Sequence, residues 1–143
     1  MKQKLLFVCL AVFLSASSLM AQDLKAGEVP ANVKTACLKK FPAAKKISWE
    51  KEKGNYEANW GGSSGEDNSA VFTPSGEFVE IVNAIPVSQL PSSVAPYVKS
   101  HYKGASIKEA GKVTDAKGKL TYEAEIKGKD LIFDEKGVFI KED

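Results

Sequence analysis

Two stretches of this chain repeat one another 61 residues apart, and a repeat restricts a fold more than any single motif can. Val29-Pro30 is answered by Leu90-Pro91; at the same offset Val33 falls on Val94, Cys37 on Val98 and Phe41 on Tyr102. Farther on, Phe72 meets Phe133, Gly76 meets Gly137 and Phe78 meets Phe139. Tyr56-Glu57-Ala58 matches Tyr122-Glu123-Ala124 at an offset of 66, so the second copy is five residues longer before that segment and five shorter after it. The shortening falls on the stretch from Gly61 to Ser69, which Lys127-Gly128-Lys129-Asp130 replaces. Polar, Gly-rich joints between strands tolerate such changes of length. The chain therefore reads as two copies of one unit, about 28–83 and 89–143.

Each copy passes from a helical period to a strand period. Val29, Val33, Ala36, Cys37 and Phe41 form one apolar stripe at helical spacing, answered by Leu90, Val94, Val98 and Tyr102. Pro30 suits a helix start and Pro42 a helix end. Pro96 fits the second helix only in its first turn, with Ser93 as N-cap, so that helix is expected to be shorter or kinked. Strand alternation then puts Ile47 with Trp49, Tyr56 with Ala58 and Trp60, and Tyr122 with Ala124 and Ile126. Glu57, Asn59, Glu123 and Glu125 point the other way. Short turns at Gly54-Asn55, Lys117-Gly118-Lys119, Thr73-Pro74-Ser75-Gly76 and Asp134-Glu135-Lys136-Gly137 make successive strands antiparallel. The expected class is α+β, one helix over an antiparallel sheet in each copy.

Residues 1–21 read as a secretory signal peptide. Lys2 and Lys4 precede ten unbroken apolar residues, Leu5 to Leu14, and small residues lead to Ala21. A membrane-crossing helix needs about 20 apolar residues, so stable membrane insertion is not expected. Lys2 and Lys4 carry the whole formal surplus of +2; residues 22–143 hold 18 Lys against 18 Asp and Glu. That neutrality argues against nucleic-acid binding, which needs a basic patch or stripe. Cys37 is the sole cysteine after residue 21, so no internal disulfide holds this unit together.

The pattern Val/Leu-Pro-x-x-Val, Phe41-Pro42 at the helix end, Trp49-Glu50, Tyr-Glu-Ala and Phe-x-x-x-Gly resembles the PepSY-like, beta-lactamase-inhibitor-like secreted proteins of gram-negative bacteria. The resemblance spans nearly all of residues 22–143. It implies two tandem helix-plus-antiparallel-sheet repeats forming a joint concave sheet with helices on one face, in a periplasmic or secreted protein. It implies no catalytic residue. The second copy departs from the pattern at Lys103-Gly104, which stands where the first has Pro42-Ala43, and no Trp answers Trp49.

Residues with chemical potential have simpler explanations. Cys37 lies in the apolar stripe opposite Val98, the place of a small buried hydrophobe. His101 has no Cys or acidic companions at ligand spacing, so neither a metal nor another cofactor is expected. Gly61-Gly62-Ser63-Ser64-Gly65 matches Gly-x-Ser-x-Gly by letter, without the helix that must follow a nucleophile elbow. Glu66-Asp67-Asn68 lacks the alternation of a calcium loop. Glu123 and Glu125 stand roughly 7 Å apart on one strand face, a glycosidase-like separation that polar alternation also explains.

The aromatic side chains and two strand residues supply the functional expectation. Trp49, Tyr56 and Trp60 share one side of adjacent strands: core if the first helix covers that side, a recognition patch if it is open. Val71 and Ile132 alternate against Phe72 and Phe133, so apolar groups must face away from the helices. Trp49, Tyr56, Trp60, Val71 and Ile132 are therefore the candidate binding residues of a non-catalytic exported module. Its expected partner is a periplasmic or extracellular protein or peptide, an enzyme that it inhibits among the options, or a second copy of the chain in a homodimer. The alternative is a small ligand or envelope component held in the crevice between the copies.

Overall fold

Both helices begin and end where proline and the apolar stripes predict. The computed structural model describes residues 22–143; the signal-peptide assignment, with Cys9, lies outside them. Helix α1 (Ala31–Lys40) starts just after Pro30, whose carbonyl accepts from the Val33 and Lys34 amides, and stops before Phe41-Pro42. Helix α2 (Val94–His101) is two residues shorter, with Ser93 at its N-cap position and Pro96 in its first turn. The Ser93 hydroxyl does not cap the helix; it donates to the Gly137 carbonyl at 2.7 Å.

The strands are β1 (Gln22–Leu24), β2 (Ser48–Glu52), β3 (Asn55–Trp60), β4 (Asn68–Phe72) and β5 (Phe78–Ile85), then β6 (Glu109–Asp115), β7 (Leu120–Ile126), β8 (Lys129–Asp134) and β9 (Phe139–Glu142). They form one nine-stranded sheet in chain order, antiparallel throughout. The architecture is α+β. Sequence periodicity missed β1, which pairs Leu24 with Trp49, because three residues are too few to show alternation.

Register divides every strand between two faces. Trp49, Ala58, Ala70 and Ile81 lie opposite one another in turn, and Tyr56 faces Phe72. These residues join Val33 and Cys37 of α1 in one core cluster. Ala110, Ala124 and Leu131 make the corresponding row in the second half. There Ala124, Ile126, Leu131 and Phe133 pack with Val94 and Val98 of α2. Burial of such side chains contributes about 1.5–3 kcal/mol each for the larger ones, so these clusters are the main source of stability.

The same contacts recur 61 residues on. The Phe41 and Tyr102 amides donate to the Cys37 and Val98 carbonyls at 2.8 Å, and the Ala44 and Ala105 amides to the Phe41 and Tyr102 carbonyls at 3.0 Å. Bulges interrupt β4 between Val71 and Phe72, and β8 between Ile132 and Phe133. Bulges sharpen local twist and bend the strand. The sheet curls so far that Lys53, in the β2–β3 turn, meets Asp143 beyond β9, with Nζ 3.1 Å from Oδ1. The inside of that curl is the surface away from the two core clusters.

Candidate functional site

The concave surface is built from residues that alternate with the core. Glu57 on β3 lies opposite Val71 on β4, and Val71 opposite Glu80 on β5. Val82 on β5 faces Val113 on β6, and Glu123 on β7 faces Ile132 on β8. Curvature gathers these side chains from both ends of the sheet around a trough of about 660 Å³. Its floor is apolar, from Val71, Val79, Val82 and Ile132, and its walls are acidic, from Glu52, Glu57, Glu80, Glu123, Asp130 and Asp143. Only Lys53 among the lining residues is cationic.

Like charges crowded over a low-dielectric floor disfavour ionisation. Burial, reinforced by Asp130, Glu80 and Glu57, pushes Glu123 up to about 7. Glu80 is also raised by burial, although Lys141 pulls it back. Glu52 is raised by burial and by Glu57. At the rim the sign reverses: the hydrogen bonds from Lys141 and Lys53 hold Asp143 below the usual carboxylate range. Within the trough the Ser69 hydroxyl donates to Glu57.

The expected binding residues separate into two groups. Trp49 and Tyr56 are 5% and 9% exposed within the α1 core cluster, and Trp60 packs against Phe41 with ring centroids 5.1 Å apart. The first helix covers their side of the strands, so the open aromatic patch does not form. Val71 and Ile132 are on the opposite surface, in the trough floor. Missing from the sequence-derived set are Glu80, Val82 and the Lys53–Asp143 contact. Alternation places Glu57 and Glu123 opposite the core, and only register joins them to Val71 and Ile132.

Cys37, His101 and Ser63 lie apart from this trough. Cys37 is fully buried, and burial alone pushes its thiol up to about 11. Such a thiol is a poor nucleophile at neutral pH. The His101 ring stacks on Tyr97, centroids 3.9 Å apart, with Nδ1 3.0 Å from the Tyr97 carbonyl and 2.9 Å from Ser100 Oγ. Ser63 is exposed in the β3–β4 connection, with a strand and not a helix next in order. Among the described residues, no group of three His, Cys, Asp or Glu is arranged to hold a metal ion. Where β5 meets β6, the crevice between the two halves is about 120 Å³, lined by Ala84, Glu109, Gly111 and Glu125 among others.

Residues 62–141 match the model of the family described as "Putative beta-lactamase-inhibitor-like, PepSY-like". No curated protein matches the chain. Among solved structures, a "putative periplasmic" protein from Bacteroides eggerthii is similar, with TM-score 0.66 and 20% identity over 82% of this chain and 89% of that one. A DUF2874 family protein from Bacteroides ovatus has TM-score 0.62 and 19% identity over 80% and 86%. A BLIP-like protein from Bacteroides fragilis has TM-score 0.59 and 20% identity over 80% and 84%. At these identities the likeness is one of fold.

Proposed function

This chain belongs to the PepSY-like, beta-lactamase-inhibitor-like family, and from that premise we propose that it works by binding and not by catalysis, gripping an exported protein or peptide through the concave face of its sheet. A family described by an inhibitor and not by a reaction supports that reading. So does the scaffold, which we take to be a duplicated helix-over-sheet unit with both helices on one side. Hydrogen bonds that recur at a 61-residue offset support the duplication. The register running from Ala70 through Ile81 and Thr114 to Leu120 supports a shared core side, because it carries one face continuously from the first half to the second. The observation that carries the function is the trough itself, about 660 Å³ with valine and isoleucine along its floor, within the roughly 300–1,000 Å³ range of ligand sites.

We place its action in the periplasm or outside the cell. The charged start and short apolar run of residues 1–21 support export, as does the Bacteroides eggerthii fold relative named as periplasmic. No helix of the described residues is long and apolar enough to cross a membrane. The crevice at β5–β6 is less suited to a small ligand, since its 120 Å³ falls below the usual range. Where the partner is an enzyme, occupation of its substrate site by this surface would inhibit it.

Photo-crosslinking tests the choice of face. Benzoylphenylalanine placed at Val71 or Ile132 in producing cells should yield protein or peptide adducts, while the same group at Leu38, exposed on α1, should not. Equal adducts at all three positions, or adducts at Leu38 alone, would reject the concave face as the working surface.

A further inference from the structure

Resting on the reading of the concave face as the binding surface, we propose that its occupant is a cationic peptide segment. Its Lys or Arg side chains enter among Glu57, Glu80 and Glu123, and its apolar groups lie on Val71, Val82 and Ile132. Charge complementarity selects this partner. Six carboxylates line the trough against one ammonium group, although residues 22–143 as a whole carry equal numbers of both signs. The excess is therefore a local property of this face, and it repels an anionic or nucleic-acid ligand.

The molecule already displays the chemistry that its rim accepts. Lys53 reaches from the β2–β3 turn to Asp143, and Lys141 takes the other carboxylate oxygen at 2.9 Å. Deeper in, no ammonium group among the described residues pairs with Glu57, Glu80 or Glu123, and the Ser69 hydroxyl donates to Glu57. A ligand cation entering there completes what Lys53 and Lys141 do at the edge. The carboxylates do not converge into a three-donor metal cluster among the described residues. The apolar floor also matches the aliphatic stem of Lys and a neighbouring Val or Ala better than it matches a hydrated ion. A peptide offers both parts together.

Calorimetric titration of the purified chain at pH 7.5 with three hexapeptides tests this: Ala-Val-Lys-Val-Lys-Ala and its Gln and Glu counterparts. The Lys peptide should bind at least tenfold more tightly than the Gln peptide, and the Glu peptide should give no binding. Raising NaCl from 50 to 500 mM should weaken the Lys peptide about tenfold, because screening shortens the reach of the wall charges. The double variant E80Q/E123Q should lose at least tenfold, with a cooperative melting transition at or above that of the wild type showing that it folds, whereas Glu28→Gln, outside the trough, should leave binding unchanged.

Absence of binding, or Lys-peptide binding that survives E80Q/E123Q, would overturn the cationic preference. Equal binding of all three peptides that Ile132→Lys abolishes would also overturn it while leaving the concave face as the binding surface. Binding unaffected by both E80Q/E123Q and Ile132→Lys would remove the face itself.

Discussion

Glu123 is a half-buried carboxylate whose charge the folded protein resists. Its neighbours on β7 and β6 are Glu125 and Glu109. Asp130 and Ile132 of β8, Glu80 of β5, Glu57 of β3 and Asp143 also face it or its surroundings, and Lys53 is the one cationic residue lining the trough. Its folded pKa of about 7 exceeds the ordinary 4.5 of an unfolded Glu, so the folded state holds a proton that the unfolded state releases. Stability from this group is present below pH 4.5 and is lost as pH rises through 7. After discounting for solvent screening, the loss should be about 2 kcal/mol. Urea unfolding of the wild type and Glu123→Gln between pH 5 and 8 should show the variant with a flatter profile and higher relative stability at pH 8; identical slopes would contradict the assignment. Cys37 makes the complementary case. Its buried, protonated thiol should resist a thiol reagent in native buffer and react fully in 6 M guanidinium, so rapid native labelling would refute its packing in the core.

At the scale of elements, the β8–β9 turn is locked to the start of α2. Gly137 has φ +81°, and a Cβ there would collide with Ser93 Oγ and lie 2.6 Å from Pro91 Cβ. Gly76, its counterpart at the β4–β5 turn, has φ +87°, but an added Cβ would meet only the Asn32 carbonyl at 3.2 Å and its neighbouring atoms less closely. A left-handed alanine costs about 1–2 kcal/mol by itself. Gly76→Ala should therefore lose about 1–2 kcal/mol and Gly137→Ala more than 2, measured by denaturant midpoint. Ser93→Ala should recover part of the second loss, since contacting sites couple. Additive losses would show that the turn and the helix are not locked. These tight turns were readable as turns because Gly, Pro, Asp and Ser cluster there. The hydroxyl of Ser93 was not readable as a tether, because a serine before an apolar stripe signals a cap equally well.

For the whole molecule, the decisive feature is a sheet curled until the β2–β3 turn reaches the end of β9. The ion pair at that meeting point is surface-exposed, with Lys53 and Asp143 side chains 50% and 43% accessible. Exposed pairs contribute about 0–1 kcal/mol. A double-mutant cycle with Lys53→Met and Asp143→Asn should give a coupling below 1 kcal/mol that disappears in 1 M NaCl. A larger coupling would mean that the pair, and not strand twist and the two bulges, holds the curl. Twist is intrinsic to L-residue strands and bulges add to it, so curvature should persist in both variants.

The amino-acid sequence determined most local matters: which segments other than β1 form helices and strands, where they turn, and that Val71 and Ile132 must face away from Phe72 and Phe133. Those follow from period and turn chemistry, which act over a few residues. Whether Trp49, Tyr56 and Trp60 were core or open surface depended on which side α1 covers, a choice alternation cannot make. Likewise, alternation marks Glu57 and Glu123 only as polar positions on separate strands, and nothing local singles out Glu80. Register aligned them, and curvature turned them inward over a valine floor. Long-range pairing and twist decide which side chains share a space, and only the folded chain contains that information.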